Sequence, residues 1–224
     1  MKSKNISVLG GGSWGTVLAN LASSNQHNVT LWMRDSELVK EVNKSRKNSK
    51  YLPELKLEGN IKATEDISLI NSSEMVIFCI PSDSFREVSK KASKYINKSA
   101  QLVTATKGVE KDKFSLMSQV LNEHMADNPV GILSGPNLAQ EIATKQVSGT
   151  VIASKAIIVA INPIIGIFEP TSKPKTNTAP VKPSKTPIHC FKETFSFKIG
   201  PLRAFVRTVS YTHLRAHETK ANLG

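Results

Sequence analysis

Three glycines, Gly10, Gly12 and Gly15, stand at the spacing G-x-G-x-x-G inside Ile6-Ser-Val-Leu-Gly-Gly-Gly-Ser-Trp-Gly-Thr-Val-Leu-Ala19. Before them Ile6-Ser-Val-Leu9 reads as a short strand. After them Trp14, Val17, Leu18, Leu21 and Ala22 recur at helical spacing. A strand that turns through glycines into a helix is the context a phosphate-binding turn requires. Gly10 permits a tight turn, Gly12 lets backbone approach a pyrophosphate, and Gly15 lets the helix pack close to the strand. The N–H groups of the helix start then face the phosphates, and the helix dipole adds partial positive charge. The competing reading is an ordinary strand–turn–helix bend. The supported strand and helix favour the nucleotide.

Four further segments carry groups suited to the same crevice. Trp32-Met-Arg34-Asp35 ends a second apolar run. An acidic residue there holds the ribose hydroxyls of NAD, whereas an arginine meets the extra phosphate of NADP. Both residues are present, so NADH and NADPH stay open, with Arg34 favouring NADPH. Cys79-Ile-Pro81-Ser82-Asp83 follows another buried run, where Pro81 stops the strand and Ser82-Asp83 offers a helix cap. Cys79 reads as a small core residue rather than a reactive thiol. In Thr104-Ala-Thr-Lys107-Gly108 the lysine sits at a strand's carboxyl end and can point an ammonium at a substrate oxygen. In Ser134-Gly135-Pro136-Asn137 the glycine gives backbone access, Pro136 fits a first helical turn and Asn137 offers an amide.

These groups need a frame that brings strand ends together. Residues 1–155 alternate short apolar runs with helical patterns. The runs are Ile6–Leu9, Val29–Trp32, Met75–Ile80, Gln101–Thr104 and Val130–Leu133. A second helical stripe runs through Phe85, Val88, Ala92 and Tyr95. Strands apolar along their whole length are buried on both faces, and helices between them imply a parallel sheet. The expected fold is therefore α/β: a doubly wound, mostly parallel Rossmann-type sheet with helices on both faces.

Residues 156–224 break this order. Seven of the eleven prolines lie there, and so does a net charge of +7 out of the chain's +12. The stretch from Pro170 to Pro187 has almost no apolar content and is expected to be extended and disordered. The two cysteines, Cys79 and Cys190, form no disulfide framework and suit a reducing cytoplasm. The apolar stretch Ala156–Phe168 is too short to span a membrane and is broken by Asn162-Pro163. His213 and His217 are four apart, and His189 adjoins Cys190, but neither pair has further ligands at a metal spacing, so no metal is expected. The basic tail has few interleaved aromatics, so nucleic acid is not expected either.

Taken in order, GGGSWGTVLA, LWMRD, YLPELKL (51–57), FCIPS (78–82), ATKGVE (105–110) and SGPNLAQEIA (134–143) resemble the N-terminal half of bacterial NAD(P)-dependent glycerol-3-phosphate dehydrogenase. The resemblance implies that NAD(P)H reduces dihydroxyacetone phosphate to sn-glycerol 3-phosphate, a phospholipid precursor. It implies cofactor contacts at Gly10, Gly12, Ser13, Trp14, Gly15, Arg34, Tyr51, Pro81, Lys107 and Ala139. Lys107, Gly135 and Asn137 would border the substrate, with Lys107 as the catalytic group. It also implies a cytoplasmic homodimer. The family places its principal catalytic lysine in a Lys-Asn pair, and a phosphate grip in an Arg-Asn pair, of a second helical domain. Neither pair occurs after residue 155, so a cofactor-binding chain with negligible turnover is expected. The end from Val209 to Leu223 resembles a tail recurring on conceptual translations of shotgun-assembled DNA, which implies a frame change or chimeric join near residue 155. Two alternatives remain: a Rossmann module whose basic tail meets nucleic acid or an acidic partner, and a fragment of a related 2-keto or 2-hydroxy acid reductase.

Overall fold

The computed structural model describes residues 3–135, 137–144, 150–154, 194–199 and 202–207. Among them nine strands form one sheet in the order β3-β2-β1-β4-β5-β6-β7-β9-β8. The strands are β1 (Asn5–Leu9), β2 (Asn28–Trp32), β3 (Ile61–Thr64), β4 (Met75–Phe78), β5 (Gln101–Thr104), β6 (Val130–Ser134), β7 (Thr150–Ser154), β8 (Thr194–Ile199) and β9 (Leu202–Arg207). The first six run parallel, and β7 to β9 add antiparallel strands at one end. The helices are α1 (Ser13–Ser24), α2 (Ser36–Ser45), α3 (Ser82–Ala92), α4 (Met117–His124) and α5 (Ala139–Ala143).

The burial pattern explains the two-sided architecture. In β4 Met75 and Ile77 join a core with Leu18, Ala19 and Ala22 of α1 and with Leu38 and Val42 of α2. The alternating Val76 and Phe78 join a second core with Phe85, Val88 and Ala92 of α3 and with Val120 and Leu121 of α4. Successive side chains point to opposite faces, so a wholly apolar strand must be covered twice. The buried Ser7 of β1 is the exception in composition, and its hydroxyl is satisfied by the Ser73 hydroxyl at 2.6 Å.

Several local expectations shift. The run Met75–Ile80 leaves the sheet after Phe78. Ser82 is the first residue of α3, not its cap: Pro81 takes that place, with no side-chain cap bond. Tyr95 lies beyond the end of α3 at Ala92. The last of the segments, 134–143, becomes helical only at Ala139, and Pro136 lies outside the described residues. Strand β3 is not among the apolar runs, because Ile-Lys-Ala-Thr is short and carries a lysine. Beyond residue 155 the described residues are those of β8 and β9. In β8, Phe195, Phe197 and Ile199 alternate with Thr194, Ser196 and Lys198 at strand period. Pro170–Pro187, His189-Cys190, His213, His217 and the end from Val209 lie outside the described residues.

Phe78 and Phe85 are fully buried, with ring centroids 5.6 Å apart, and tie β4 to α3. Phe85→Ala is expected to cost about 3–5 kcal/mol of stability, read by denaturant unfolding, because a large cavity opens in a packed core.

Candidate functional site

Strand register aligns the carboxyl ends. Leu9 pairs with Trp32 on one side and Phe78 on the other, and Phe78 pairs with Thr104. Gly10, Met33, Cys79 and Ala105 therefore leave the sheet in one row. Their backbones stay locked to it: Gly10 N–H donates to the Trp32 carbonyl, Cys79 N–H to Leu9 and Ala105 N–H to Phe78, at 2.8 to 2.9 Å. The strand order reverses direction at β1 and β4, where a crevice opens outside the strand ends. A cleft of about 740 Å³ lies there, lined by residues 10–14, 32–35, 50–51, 79–81 and 105–107 with Leu38, Asn137 and Ala139.

Each glycine of the turn has a distinct reason to lack a side chain. Gly10 has φ +119°, and a Cβ on it would meet the Cys79 carbonyl oxygen at 2.4 Å. A Cβ on Gly15 would lie 1.9 Å from the Gly10 carbonyl oxygen, so the helix start touches the turn itself. A Cβ on Gly12 would meet nothing within 4 Å, since Gly12 faces the open cleft. No side chain caps α1, whose cap residue is Gly12. Its first N–H groups are left for a ligand. Gly11, which spacing did not single out, is as constrained: a Cβ there would press on Met33 Cε at 2.6 Å.

At the β2 end Asp35 and Arg34 divide their roles. Asp35 caps α2, accepting from Glu37 N–H and Leu38 N–H at 3.2 Å, and its other oxygen accepts from Lys50 Nζ at 3.3 Å. Arg34 is exposed in the cleft with no hydrogen bond or ion pair to another described residue. Lys50, next to Tyr51, is a cleft cation the motif reading passed over; its ammonium lies 5.6 Å from the Tyr51 ring centre. Ser13 Oγ donates to the Tyr51 carbonyl at 3.3 Å, and Trp14 Nε1 donates to the Ala105 carbonyl at 3.2 Å. Pro81 lines the floor of the cleft beside Cys79, whose burial pushes the thiol well above the usual thiol range. The thiol therefore stays protonated, in keeping with a core role.

The far end joins Lys107 to the last motif. Lys107 Nζ donates to the Asn137 carbonyl at 3.2 Å. The Asn137 amide does not point outward: Nδ2 donates to the Ser134 carbonyl at 3.2 Å, and Oδ1 accepts from Thr150 Oγ1 at 3.0 Å. Gly135 has φ +129° and turns the chain toward this contact without lining the cleft itself. Ala139, first in α5, does line it. Gly15 sits beneath the turn rather than on the cleft surface. The remaining sequence-derived contacts, Gly10, Gly12, Ser13, Trp14, Arg34, Tyr51, Pro81 and Lys107, converge on this one crevice.

The donor set fits a dinucleotide. A cradle that a Cβ at residue 12 would fill, an uncapped helix start and the unpartnered Arg34 all face the same space. Among the described residues no group of three or more His, Cys, Asp or Glu is placed to hold a metal ion, and no helix is long and apolar enough to cross a membrane.

Comparison with known proteins agrees with this geometry. Residues 5–160 match the family described as NAD-dependent glycerol-3-phosphate dehydrogenase N-terminus. The glycerol-3-phosphate dehydrogenase [NAD(P)+] of Acinetobacter baylyi is 46% identical over 155 residues, covering 69% of this chain and 43% of that protein. Its counterpart in Saccharophagus degradans is 44% identical over 157 residues, covering 69% and 44%. The chain thus spans less than half the length of these curated relatives. Among solved structures, the Coxiella burnetii glycerol-3-phosphate dehydrogenase superposes with TM-score 0.60 at 30% identity, covering 63% of this chain and 44% of that one. The Plasmodium falciparum enzyme gives TM-score 0.68 at 26% identity, covering 73% and 50%.

Two substitutions separate the roles of the glycines. Gly15→Ala is expected to lower the melting temperature, by overpacking worth roughly 1–3 kcal/mol. Gly12→Ala is expected to leave it unchanged, since its φ of −73° suits alanine and the space is empty. A pH titration tests Asp35. The Leu38 N–H, with Lys50 and Glu37 N–H, holds its carboxyl below the usual range. A depressed folded value gives stability that is complete above the unfolded value near ~3.9 and lost as pH falls through the folded one. Melting temperature should therefore drop on acidification below about pH 4. Asp35→Asn, which still caps but does not titrate, should flatten part of that drop.

Proposed function

The chain belongs to the NAD-dependent glycerol-3-phosphate dehydrogenase family through residues 5–160, and on that premise we propose that residues 1–155 bind NADPH or NADH and contribute Lys107 to the reduction of dihydroxyacetone phosphate to sn-glycerol 3-phosphate. The observation that carries it is the meeting of Lys107 and Asn137, 30 residues apart, on the cleft that also holds the glycine turn.

The chemistry assigned to the protein is positioning and charge. When bound, the nicotinamide ring supplies the hydride. The α1 N-terminus and the Gly12 backbone hold the pyrophosphate, and Arg34 with Lys50 surrounds the adenosine end. Asp35, committed to the α2 cap and to Lys50, offers little to a ribose hydroxyl. That commitment supports NADPH over NADH. Lys107 donates a hydrogen bond to the substrate carbonyl oxygen, where negative charge develops as its carbon is reduced. A proton from the same ammonium completes the alcohol. Asn137 holds that lysine through its own backbone carbonyl and borders the substrate from the cleft wall, while Gly135 turns the chain into that position. The same family reading extends to a cytoplasmic setting, a homodimer and no nucleic-acid partner.

Lys107 is one group, and orientation and water exclusion demand more than one. Binding without appreciable turnover is therefore proposed for this 224-residue chain. The purified chain is expected to bind NADPH in roughly the micromolar range and more tightly than NADH. Added dihydroxyacetone phosphate should not raise NADPH oxidation above the blank. Failure to bind either cofactor would sink the cofactor assignment. Turnover that Lys107→Ala abolishes would overturn the separation of binding from catalysis.

A further inference from the structure

We propose that Asn48 is a positioning residue that aims the Gly12 N–H of the glycine turn at the cofactor's pyrophosphate, an inference that rests on the cofactor assignment above. Asn48 lies between α2 and β3, far in sequence from the turn, and its side chain is fully buried. Its Nδ2 donates to the Gly11 carbonyl at 2.9 Å and to Thr16 Oγ1 at 2.8 Å. Thr16 Oγ1 itself donates to the same Gly11 carbonyl at 3.4 Å. One carbonyl of the turn is thus held from the protein side by two side chains.

The consequence follows from the peptide group. The Gly11 carbonyl and the Gly12 N–H belong to one planar trans unit and point in opposite directions. Pinning the carbonyl inward turns the N–H outward, toward the side where a Cβ on Gly12 would find only open space. Glycines on both sides of that unit leave it free to rotate unless something fixes it. Asn48 is what fixes it. The amide is an expensive choice for structure alone, because Asn48 Oδ1 is buried without a hydrogen-bond partner. An apolar side chain of similar volume would avoid that unsatisfied acceptor. The donor function explains why an amide stands there. The same residue also builds the cleft wall: the Asn48 carbonyl accepts from Tyr51 N–H and Leu52 N–H, and Ser13 Oγ reaches across to the Tyr51 carbonyl.

The test uses the full chain and three ligands followed by titration calorimetry: ADP and NADPH, which carry a pyrophosphate, and adenosine 2′-monophosphate, which does not. Asn48→Leu keeps the volume and removes the donor. Its Kd for ADP and NADPH is expected to rise about tenfold, as for loss of one oriented hydrogen bond. Its Kd for adenosine 2′-monophosphate should stay within about twofold, and its melting temperature should not fall. Should Asn48→Leu fail to fold, Thr16→Val removes the second donor to the same carbonyl and carries the same expectation. Wild-type affinity for ADP in the variant, or equal weakening of all three ligands, would overturn the positioning role. A wild-type chain that binds neither ADP nor NADPH would instead overturn the cofactor assignment, and this inference with it.

Discussion

The helix start of α1 and the end of β1 approach so closely that a methyl group at residue 15 would lie 1.9 Å from the Gly10 carbonyl oxygen. Everything else at the site depends on that contact. It sets the height of α1 above the sheet, and so the position of the first helical N–H groups relative to the strand ends. It also brings the turn against the Cys79 backbone, where a Cβ on Gly10 would meet a carbonyl oxygen at 2.4 Å. Two strands and one helix therefore converge without side chains between them. An opening remains at Gly12, where a Cβ would meet nothing within 4 Å.

The segment after α2 works as a brace for this turn. Asp35 starts α2, and Arg46, with φ +58°, ends it in the left-handed region. Arg46 is then held on both sides: its guanidinium donates to the Ile61 carbonyl, and its own carbonyl accepts from Leu57 N–H at 2.8 Å. Asn43 pairs with both the N–H and the carbonyl of Ala63, each at 2.9 Å. These bonds fix a chain of otherwise irregular shape to β3, so that Asn48, Lys50 and Tyr51 arrive at the cleft in set positions. Sheet, helix and loop share one hydrogen-bond network at the carboxyl edge, which is why groups from six segments can face one cleft.

Much of this was legible because it is local. Wholly apolar runs such as Met75–Phe78 require cover on two faces, and the intervening helical stripes supply it. The turn could be read from three glycines in a strand–helix context, because the Gly15 contact with the Gly10 carbonyl spans only five residues, whereas the crowding of Gly10 by Cys79 and of Gly11 by Met33 comes from distant strand ends. Lys107 was legible as a residue at a strand's end. Other parts were obscure for equally physical reasons. Asn48 has partners 32 and 37 residues away, and nothing in its neighbours marks it. Asn137 offers an amide in sequence, yet Thr150 and the Ser134 carbonyl consume that amide in the fold. Pro81 displaced Ser82 as the cap of α3, so that Ser82 became the first helical residue, and β4 had already ended at Phe78.

The residue order alone determined the two-sided parallel sheet, through periodicity, the glycine turn, through its strand–helix context, and the family likeness, through the resemblance of its ordered motifs. Only the tertiary structure decided how ambiguous polar groups were allotted. Arg34 and Asp35 are adjacent in the chain and looked equally suited to a cofactor. The fold gives Asp35 to the α2 cap and Lys50, and leaves Arg34 facing the cleft. A carboxylate or amide bonds whatever donors the folded backbone brings to it, and that competition among distant partners is not written in its neighbours.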